Sequence, residues 1–574
     1  MRGFVRRLPI LAAFILALFA PAPASAFEQT NESYVVPTRH GQIYVEVVRP
    51  LENGATVKGP AIFTYSPYSV LGRNGDASRW VPRGYVRVWA DVVGTGNSGG
   101  CYDYGGRGEK ETGYDLVEWI AAQPWSTGKV AMIGGSYNGT TATATAVTDP
   151  PHLTTIVPEA GISRWYEYAY SGGIRYFANN ENPTDEGFDT PLAFDFGFAI
   201  PPPLDASDPT WGERVESTVR PCDELLHTQR GYDNDTPDYD AFWLERDYVI
   251  DAWKVDVPVL IAHNWGDWNV KQEEAINLYR ALTGSPNRKL FMGTRYSGHG
   301  RPGGSYQQTV DAWMDHYLLG VENGVESLPA VTSQTSDYDG PGAFIAGPWP
   351  ATTNVTLFAQ EDATDPDYRW KLLPTKPKKR ALKSSATFVT TGTNTEAGAN
   401  SNPRANREWL WFETPPLARD TRIFGEVQVR LWSTVQRRWI TYTPTILDVD
   451  PARRILGPGQ LVATDDRGLI STTRGWLDSR YRDTLTSPSD VAPGVSFGMT
   501  VVEKPQDYTF RTGHLVGLVV QTEITEWNLP KPYPECTNVI CSTVRIDWWD
   551  GQTRVILPVV GAPTDPRDLF DLGG

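Results

Sequence analysis

Two hydrophobic patterns alternate along the first half of the chain. Continuous apolar runs at 61–65, 257–263 and 289–293 are typical of strands that are buried on both faces of a parallel sheet. The intervening stretches, such as 271–283, are rich in Glu, Leu and Ala and indicate helices. This alternation, from about residue 34 to residue 319, predicts an α/β fold with a parallel sheet between helices.

The pattern changes in two places. Between about 161 and 253 the alternation breaks, and the segment is aromatic, acidic and interrupted by proline, so we expect an inserted helical cap. From about 328 the helical periodicity fades, and alternating or apolar runs are typical of β-strands. The prediction is an α/β domain at 27–327, with the cap inserted, and a C-terminal β-sandwich domain at 328–574.

Ser136 follows a short apolar run and has glycines close on both sides. Gly134 and Gly135 precede it and Gly139 follows, giving the spacing G-x-S-x-x-G. Small residues let a strand turn sharply into a helix and expose a serine hydroxyl, which is the form of a nucleophile elbow. A glycine-rich turn with an incidental serine is the alternative interpretation.

Two further residues follow predicted strands downstream. Asp267 lies on the loop after 257–263, and His299 stands between two glycines after 289–293. The order Ser, Asp, His, each after a successive strand, is that of an α/β-hydrolase triad. It predicts Ser136 as nucleophile, His299 as general base and Asp267 as the residue that orients the base.

The chain offers few competitors for these roles. Of its seven histidines, only His263, at the end of a predicted strand, rivals His299 as the base. Asp251 and Asp256 precede the same strand and compete with Asp267 for the acid role.

An acyl-transfer site also needs donors for the oxyanion. The backbone N–H of Tyr137, directly after the predicted nucleophile, is the expected first donor. The second is expected from the loop 66–69, after the strand at 61–65.

Several segments together resemble the Xaa-Pro dipeptidyl-peptidase and cocaine-esterase family of serine hydrolases. They are Ser-Pro-Tyr at 66–68, the glycine-rich segment 91–99, the helix end 118–125 and Gly-x-Ser-Tyr-x-Gly around Ser136. Segments 159–168 and 266–270 favour the dipeptidyl-peptidase branch. The resemblance implies an α/β-hydrolase core, a C-terminal jelly roll and removal of Xaa-Pro dipeptides from peptide N-termini without a cofactor. Its substrates would be peptides with proline at the second position.

The resemblance also assigns roles to individual residues. Tyr68 matches the tyrosine whose hydroxyl completes the oxyanion hole. Trp165 and Tyr168 match aromatic residues that wall a proline pocket, and Asn269 and Val270 match residues of the substrate site. A prolyl ring is a flat apolar body without an N–H, so aromatic walls select it by shape. Ordinary core packing is the alternative for Trp165 and Tyr168.

The chain departs from the family pattern in three ways. We expect no large N-terminal helical domain, and Val93 stands where many relatives have Arg. A dipeptidyl-peptidase needs a carboxylate for the substrate amine, and Glu181, Asp185 and Glu186 are only nearby candidates. An esterase or amide acylase of the same fold is therefore the alternative function.

Composition narrows the classes of partner. The formal net charge is −16, and the basic residues cluster only at 376–380 and in the leader, which argues against nucleic-acid binding. The aromatic content of 12% fits an aromatic-lined site or β-sandwich packing, and equally a carbohydrate-binding β domain. The four cysteines are scattered and no histidine stands at ligand spacing, so no metal site is predicted.

The first 26 residues have the organisation of a signal peptide. Arg2, Arg6 and Arg7 precede the apolar run 8–20, and Ala-Ser-Ala at 24–26 is a cleavage signal. We expect a secreted mature chain without a membrane span.

Four cysteines in an exported chain also suggest disulfide bonds. Cys536 and Cys541 enclose a short loop and form the favoured pair, which leaves Cys101 for Cys222.

Overall fold

The structure is a computed structural model that describes residues 28–68, 76–178, 188–189, 237–361, 370–377, 384–390, 408–457, 460–463, 469–522, 524, 527–529 and 542–572. The predicted signal peptide and three of the four cysteines lie outside these residues, so export and both disulfide pairings stay predictions. Glu181, Asp185 and Glu186 also lie outside them.

The first part of the chain alternates strands and helices. Its strands are β1 (Glu28–Pro37), β2 (Gln42–Glu52), β3 (Ala55–Thr56), β4 (Gly59–Ser66), β5 (Val86–Asp91), β6 (Ser126–Gly135), β7 (Leu153–Glu159), β8 (Tyr170–Ser171), β9 (Ile174–Ala178), β10 (Phe188–Asp189), β11 (Val259–Asn264), β12 (Arg288–Gly293), β13 (Val331–Asp337) and β14 (Gly340–Gly347). Its helices are α1 (Ala77–Trp80), α2 (Arg107–Ala121), α3 (Tyr137–Ala146), α4 (Trp165–Ala169), α5 (Ala241–Glu245), α6 (Tyr248–Asp251), α7 (Glu273–Ala281) and α8 (Tyr306–Leu319). Single 3₁₀ turns lie at Val81–Arg83, Ala252–Lys254 and Val325–Ser327.

The central sheet has the strand order β1-β2-β5-β4-β6-β7-β11-β12-β13-β14. Pairing is antiparallel at its start, parallel from β5 to β13, and antiparallel again at β14. The predicted α/β fold is confirmed, and its arrangement is that of an α/β-hydrolase. The carboxyl ends of β6, β7, β11 and β12 meet at one edge, which is where loops gather into sites in such sheets.

Burial on both faces explains why these strands are continuously apolar. All of β4 is buried. Its Phe63 lies in one hydrophobic cluster with Leu116 of α2, whereas the adjacent Ile62 lies in another with Trp313 of α8. Helices therefore cover both faces, as strands without an alternating pattern require.

The structure describes the two ends of the insertion at 161–253. The helix α4 and the hairpin β8–β9 form its start, and α5 and α6 form its end. The strand β9 also pairs with a strand from the C-terminal region, at Tyr176 opposite Asn528. The rest of the insertion lies outside the described residues, so the helical cap stays a prediction.

The C-terminal region is a separate β domain with its own hydrophobic core. Its strands are β15 (Thr352–Glu361), β16 (Trp370–Leu373), β17 (Ser385–Thr390), β18 (Leu410–Glu413), β19 (Thr421–Gly425), β20 (Gln428–Val435), β21 (Thr441–Val449), β22 (Arg454–Gly457), β23 (Gln460–Ala463), β24 (Leu469–Arg474), β25 (Leu477–Asp478), β26 (Phe497–Val502), β27 (Gln506–Phe510), β28 (Leu515–Gln521), β29 (Asn528–Leu529), β30 (Ser542–Asp547) and β31 (Arg554–Val560). It also has 3₁₀ turns at Pro451–Arg453, Ser479–Tyr481, Trp549–Gly551 and Pro566–Leu569. Most pairings are antiparallel, for example β21 with β28 and β17 with β30. The jelly-roll connectivity and the boundary at 327/328 stay predictions.

The two domains are joined by main-chain pairing and by a buried ion pair. The strand β13 of the central sheet pairs with β27 at Ser336 opposite Tyr508. Lys504 Nζ lies 2.6 Å from Glu273 Oε1, and both residues are 7% exposed. A second pair between the domains, Arg280 with Glu426, is more exposed.

Across the described ranges, no helix combines the length and the apolar character that a membrane crossing requires.

The substitution Lys504→Met tests the buried ion pair. It removes the cation that is hydrogen-bonded to the buried Glu273 carboxylate and leaves only the electrostatic attraction of the buried Lys271, which costs up to about 3–5 kcal/mol. We expect the free energy of unfolding, measured by urea denaturation, to fall by that amount. The matched change Arg280→Met, at the exposed pair, is expected to cost less than about 1 kcal/mol. Equal losses in the two variants would mean that the buried pair has no special role in holding the domains together.

Candidate active site

Ser136 occupies a strained turn between a strand and a helix. The strand β6 ends at Gly135 and α3 begins at Tyr137, so Ser136 is the single residue between them. Its φ is +59° and its ψ is −130°, a conformation that L residues rarely adopt outside functional turns. Its N–H donates to the Glu159 carbonyl at 2.8 Å, which ties the turn to the next strand.

The glycines of the motif are required by close packing. A Cβ at Gly134 would lie 2.3 Å from the Asn138 Cβ, and one at Gly139 would lie 2.8 Å from the Glu159 carbonyl oxygen. No side chain fits at these distances, so the G-x-S-x-x-G spacing has the physical cause expected of an elbow.

His299 and Asp267 are joined by a hydrogen bond. His299 Nδ1 lies 2.8 Å from Asp267 Oδ2. The carboxylate is fully buried, while the imidazole keeps 26% of its surface exposed. They follow β12 and β11, which lie in the same sheet and run parallel to the strand that carries Ser136. The structure therefore brings all three predicted residues to one edge of the sheet.

The loop after β11 holds the Asp267 carboxylate from its other side. The backbone N–H groups of Asn269 and Val270 both donate to Asp267 Oδ1 at 3.0 Å. The family resemblance matches these two residues to the substrate site, and in the structure their main chain fixes the Asp267 carboxylate. Because Oδ1 is occupied by amides, Oδ2 is turned toward His299.

The environment of His299 raises its pKa. Burial by itself lowers the pKa of this imidazole, but the negative charge of Asp267 and the hydrogen bond to it outweigh burial. The net result is a pKa above the ordinary histidine value of 6.5.

The residues that compete with His299 and Asp267 for the base and acid roles lie in different surroundings from those two. His263 is fully buried, and its Nε2 donates to the Val270 carbonyl at 2.8 Å while lying 3.4 Å from Asp267 Oδ2. Burial lowers the pKa of His263 despite the nearby Asp267 charge, so it stays neutral and supports the loop. Asp251 and Asp256 precede β11 and therefore lie toward the opposite edge of the sheet, where Asp251 pairs with Lys254.

Tyr68 lies beside the serine. Its hydroxyl donates to Ser136 Oγ at 3.1 Å, and its ring is half-buried just beyond the end of β4. The resemblance assigned the second oxyanion donor to this hydroxyl, and the structure brings it next to the predicted nucleophile.

Tyr137, whose backbone N–H is the predicted first oxyanion donor, anchors the elbow through its side chain. It is the first residue of α3, a position where backbone N–H groups have no acceptor within the helix. Its buried hydroxyl donates to Glu109 Oε2 at 2.8 Å. Burial raises the pKa of Glu109 to about 8, and the charge of Asp103 adds to this effect. No local sequence pattern marks Glu109, because only the fold places it beside Tyr137 of the elbow.

Trp165 and Tyr168 lie on α4 and are both buried. Trp165 is fully enclosed, with its ring 5.2 Å from that of Tyr137, and its indole N–H donates to the Tyr248 hydroxyl at 2.8 Å. Tyr168 donates to Asn269 Oδ1 at 2.9 Å. Both residues therefore adjoin predicted site residues, while their contact with a proline ring stays a prediction.

Glu159 links the turn at Ser136 to the loop between β12 and α8 that carries His299, which we call the histidine loop. Besides accepting from Ser136 through its carbonyl, it accepts from Arg301 Nε and from the Tyr306 hydroxyl, both at 2.7 Å, through its buried carboxylate. Arg301 comes two residues after His299. In the sequence Glu159 is only the first residue of segment 159–168, and its two side-chain partners are evident only in the tertiary structure.

The β domain packs against the loop that carries Asp267. Trp268 contacts Trp476 and Trp527, with ring centroids 6.3 and 5.5 Å away. The Arg474 guanidinium lies over the Trp268 ring at 4.3 Å. The C-terminal domain thus encloses part of the loop that carries Asp267.

The arrangement suits nucleophilic acyl transfer. A serine in a strained turn, a His–Asp pair on neighbouring strand ends and a nearby hydroxyl donor are the elements that this chemistry needs. Within the described ranges, no three His, Cys, Asp or Glu side chains are arranged to hold a metal ion.

Sequence families match both domains. Residues 41–297 match the X-Pro dipeptidyl-peptidase (S15 family), and residues 323–556 match the X-Pro dipeptidyl-peptidase C-terminal non-catalytic domain. A Bacillus cereus protein assigned as an Xaa-Pro dipeptidyl-peptidase is 27% identical, over 79% of this chain and 73% of the relative. The Xaa-Pro dipeptidyl-peptidase of Lacticaseibacillus paracasei is 27% identical, over 86% of this chain and 66% of the relative.

Solved structures share the fold over nearly the whole chain. An α-amino acid ester hydrolase superimposes with a TM-score of 0.70 at 18% identity, covering 96% of this chain and all of the other. A CocE/NonD family hydrolase from Staphylococcus aureus gives a TM-score of 0.66 at 16% identity, covering 92% and 93%. At these identities the likeness concerns the fold alone. On the matches to both domains, together with the relatives, the chain belongs to the X-Pro dipeptidyl-peptidase family of serine hydrolases.

Proposed function

We propose that this protein is an exported serine exopeptidase that releases Xaa-Pro dipeptides from the N-termini of peptides. The observation that carries the proposal is the convergence of Ser136, its hydrogen-bond partner Tyr68 and the His299–Asp267 pair at one sheet edge. The family assignment supports the peptide substrate, and residues 1–26 support export.

In the proposed mechanism Ser136 Oγ attacks the carbonyl carbon of the proline at the second position. His299 accepts the hydroxyl proton through Nε2, since Nδ1 is engaged by Asp267. The proton then passes to the departing amine as the peptide bond breaks, and an acyl-enzyme remains. A water molecule, deprotonated by His299, hydrolyses that ester and restores Ser136.

The negative charge on the carbonyl oxygen needs donors that are already in place. In this proposal the Tyr137 N–H is the first donor, and the Tyr68 hydroxyl, the second, turns from Ser136 Oγ to the developing oxyanion. The Tyr68 ring and the Tyr137 main chain belong to the folded protein before substrate arrives, so the reorganisation is limited to the Tyr68 O–H bond.

Specificity for proline is assigned to the residues beside Asp267. Tyr168 and Asn269 form a hydrogen-bonded pair there, with Val270 and Trp165 adjoining. An apolar, aromatic wall favours a ring without an N–H. Recognition of the free amine requires a carboxylate, for which the acidic residues at 181–186 are the candidates.

A second candidate function is hydrolysis of small esters or amides. The geometry of Ser136, His299 and Tyr68 serves this chemistry equally, and the ester hydrolase and the CocE/NonD hydrolase share the fold. The two functions differ in the requirement for a free amine and a proline.

A substrate panel separates the two functions. We expect the mature protein to cleave Gly-Pro-p-nitroanilide and Ala-Pro-p-nitroanilide, and to leave their N-acetylated forms intact because the amine is masked. A p-nitrophenyl ester reports the serine chemistry without proline or amine. Ser136→Ala should abolish every activity with little change in thermal stability. Cleavage of the ester alone would assign the protein to the esterase or acylase branch, and activity in Ser136→Ala would exclude this nucleophile.

The change Tyr68→Phe removes one proposed oxyanion donor. Loss of a single donor typically lowers kcat by about 100- to 1,000-fold, and we expect a decrease of that order with little change in KM. The control is Tyr317→Phe, because the Tyr317 hydroxyl accepts from Asn287 at the other edge of the sheet. An unchanged kcat in Tyr68→Phe would place the second donor elsewhere.

The raised pKa of His299 predicts the acidic side of the pH profile. The base must be neutral, so kcat/KM should fall as the pH drops through a value above 6.5. A p-nitrophenyl ester is the substrate of choice, because it has no amine that titrates nearby. Asp267→Asn removes the charge that favours the protonated imidazole of His299. The acidic limb of the kcat/KM profile should therefore move to lower pH, and kcat/KM itself should fall. A wild-type limb at or below 6.5 would contradict the assignment.

A further inference from the structure

Asn264 brackets the histidine loop with its side-chain amide. It is the last residue of β11 and is 1% exposed. Its Nδ2 donates to the Gly298 carbonyl at 2.9 Å and to the Gly300 carbonyl at 3.1 Å. These carbonyls belong to the residues directly before and after His299, so one amide group holds the main chain on both sides of the imidazole.

The neighbouring strand is shaped to admit this amide. Gly293, the last residue of β12, pairs with Asn264 in the sheet. A Cβ at Gly293 would lie 2.0 Å from Asn264 Oδ1, so any side chain there would displace the amide. Because both partners of Nδ2 are carbonyl oxygens, only an N–H donor satisfies them, and this fixes the orientation of the amide.

We infer that Asn264 is a positioning residue that sets the direction of the His299 imidazole toward Asp267 and Ser136. The inference rests on the proposed function, in which His299 transfers the proton. Asn264 touches neither substrate nor reacting atoms and acts through the backbone of the histidine loop. A displacement of about 1 Å in a reacting group lowers rates by as much as 100-fold, so a bracket of this kind has a large effect on catalysis.

A separate anchor, independent of Asn264, also holds the histidine loop. Arg301, two residues after His299 in the same loop, bonds to the buried carboxylate of Glu159 at 2.7 Å. Removal of the Asn264 amide is therefore expected to loosen the imidazole without detaching the loop.

Two variants and a matched control test the inference. Asn264→Ala deletes the amide, and Gly293→Ala keeps every polar group but pushes the amide aside. The control is Asn287→Ala, because Asn287 precedes β12 at its other end and its amide also donates to a main-chain carbonyl, that of Glu326, and to the Tyr317 hydroxyl. Each variant is assayed as the full chain, well below its thermal midpoint, on a p-nitrophenyl ester.

We expect both Asn264→Ala and Gly293→Ala to lower kcat by about 10- to 100-fold with KM within twofold of the wild type. The control is expected to retain wild-type kcat. A readout that does not depend on activity is the NMR titration of the His299 ring, assigned by its absence in His299→Gln. In both variants its pKa should fall from its raised value toward 6.5, because the ring is no longer held against Asp267.

The outcomes separate this inference from the proposed function. An unchanged His299 titration in both variants, with kcat within twofold of the wild type, would overturn the role of Asn264. A shifted His299 titration in the variants would support the role of Asn264, whether or not the wild-type protein hydrolyses Xaa-Pro substrates. A wild-type protein that hydrolysed none of those substrates would count only against the proposed function. Should Asn264→Ala fail to fold, Gly293→Ala decides alone, since it retains the amide.

Discussion

The buried carboxylate of Asp267 is the constraint on which the rest of the site depends. A charge without solvent is tolerated in a protein only when donors surround it. Here two backbone amides hold one oxygen, and His299 holds the other with His263 nearby. The loop after β11 must curl back on itself to present those amides, and the neutral His263 keeps it curled by bonding to a loop carbonyl.

This requirement extends into the second domain. The indole N–H of Trp265 donates to Ser333 Oγ, which donates in turn to the buried Asp507 of the β domain. Trp268, directly after the acid, packs against tryptophans of the same domain. The β domain therefore helps to enclose the loop whose shape positions the acid, which is a structural reason for its attachment to the hydrolase core.

The buried strands and the motif at Ser136 were predictable from the sequence because each has a local cause. Strands buried on both faces must be continuously apolar, and the elbow needs Gly134 and Gly139 because a Cβ there would clash with Asn138 and Glu159. The contacts of Asn264 and Glu159 were not readable in this way. Asn264 is a polar residue at a strand end, and nothing local indicates that its partners are the carbonyls on either side of His299.

The sequence by itself determined the fold class, the residues after β6, β11 and β12 that the proposed chemistry uses, and the likeness of both domains to one family. These follow from hydrophobic periodicity and from residue order, which local physics governs. The tertiary structure alone decided which nitrogen of His299 faces Asp267, why His263 stays neutral and how Asn264 and Arg301 hold the loop. Such contacts join residues on different strands and loops, so they arise only once the parallel sheet has brought the carboxyl ends of its strands together.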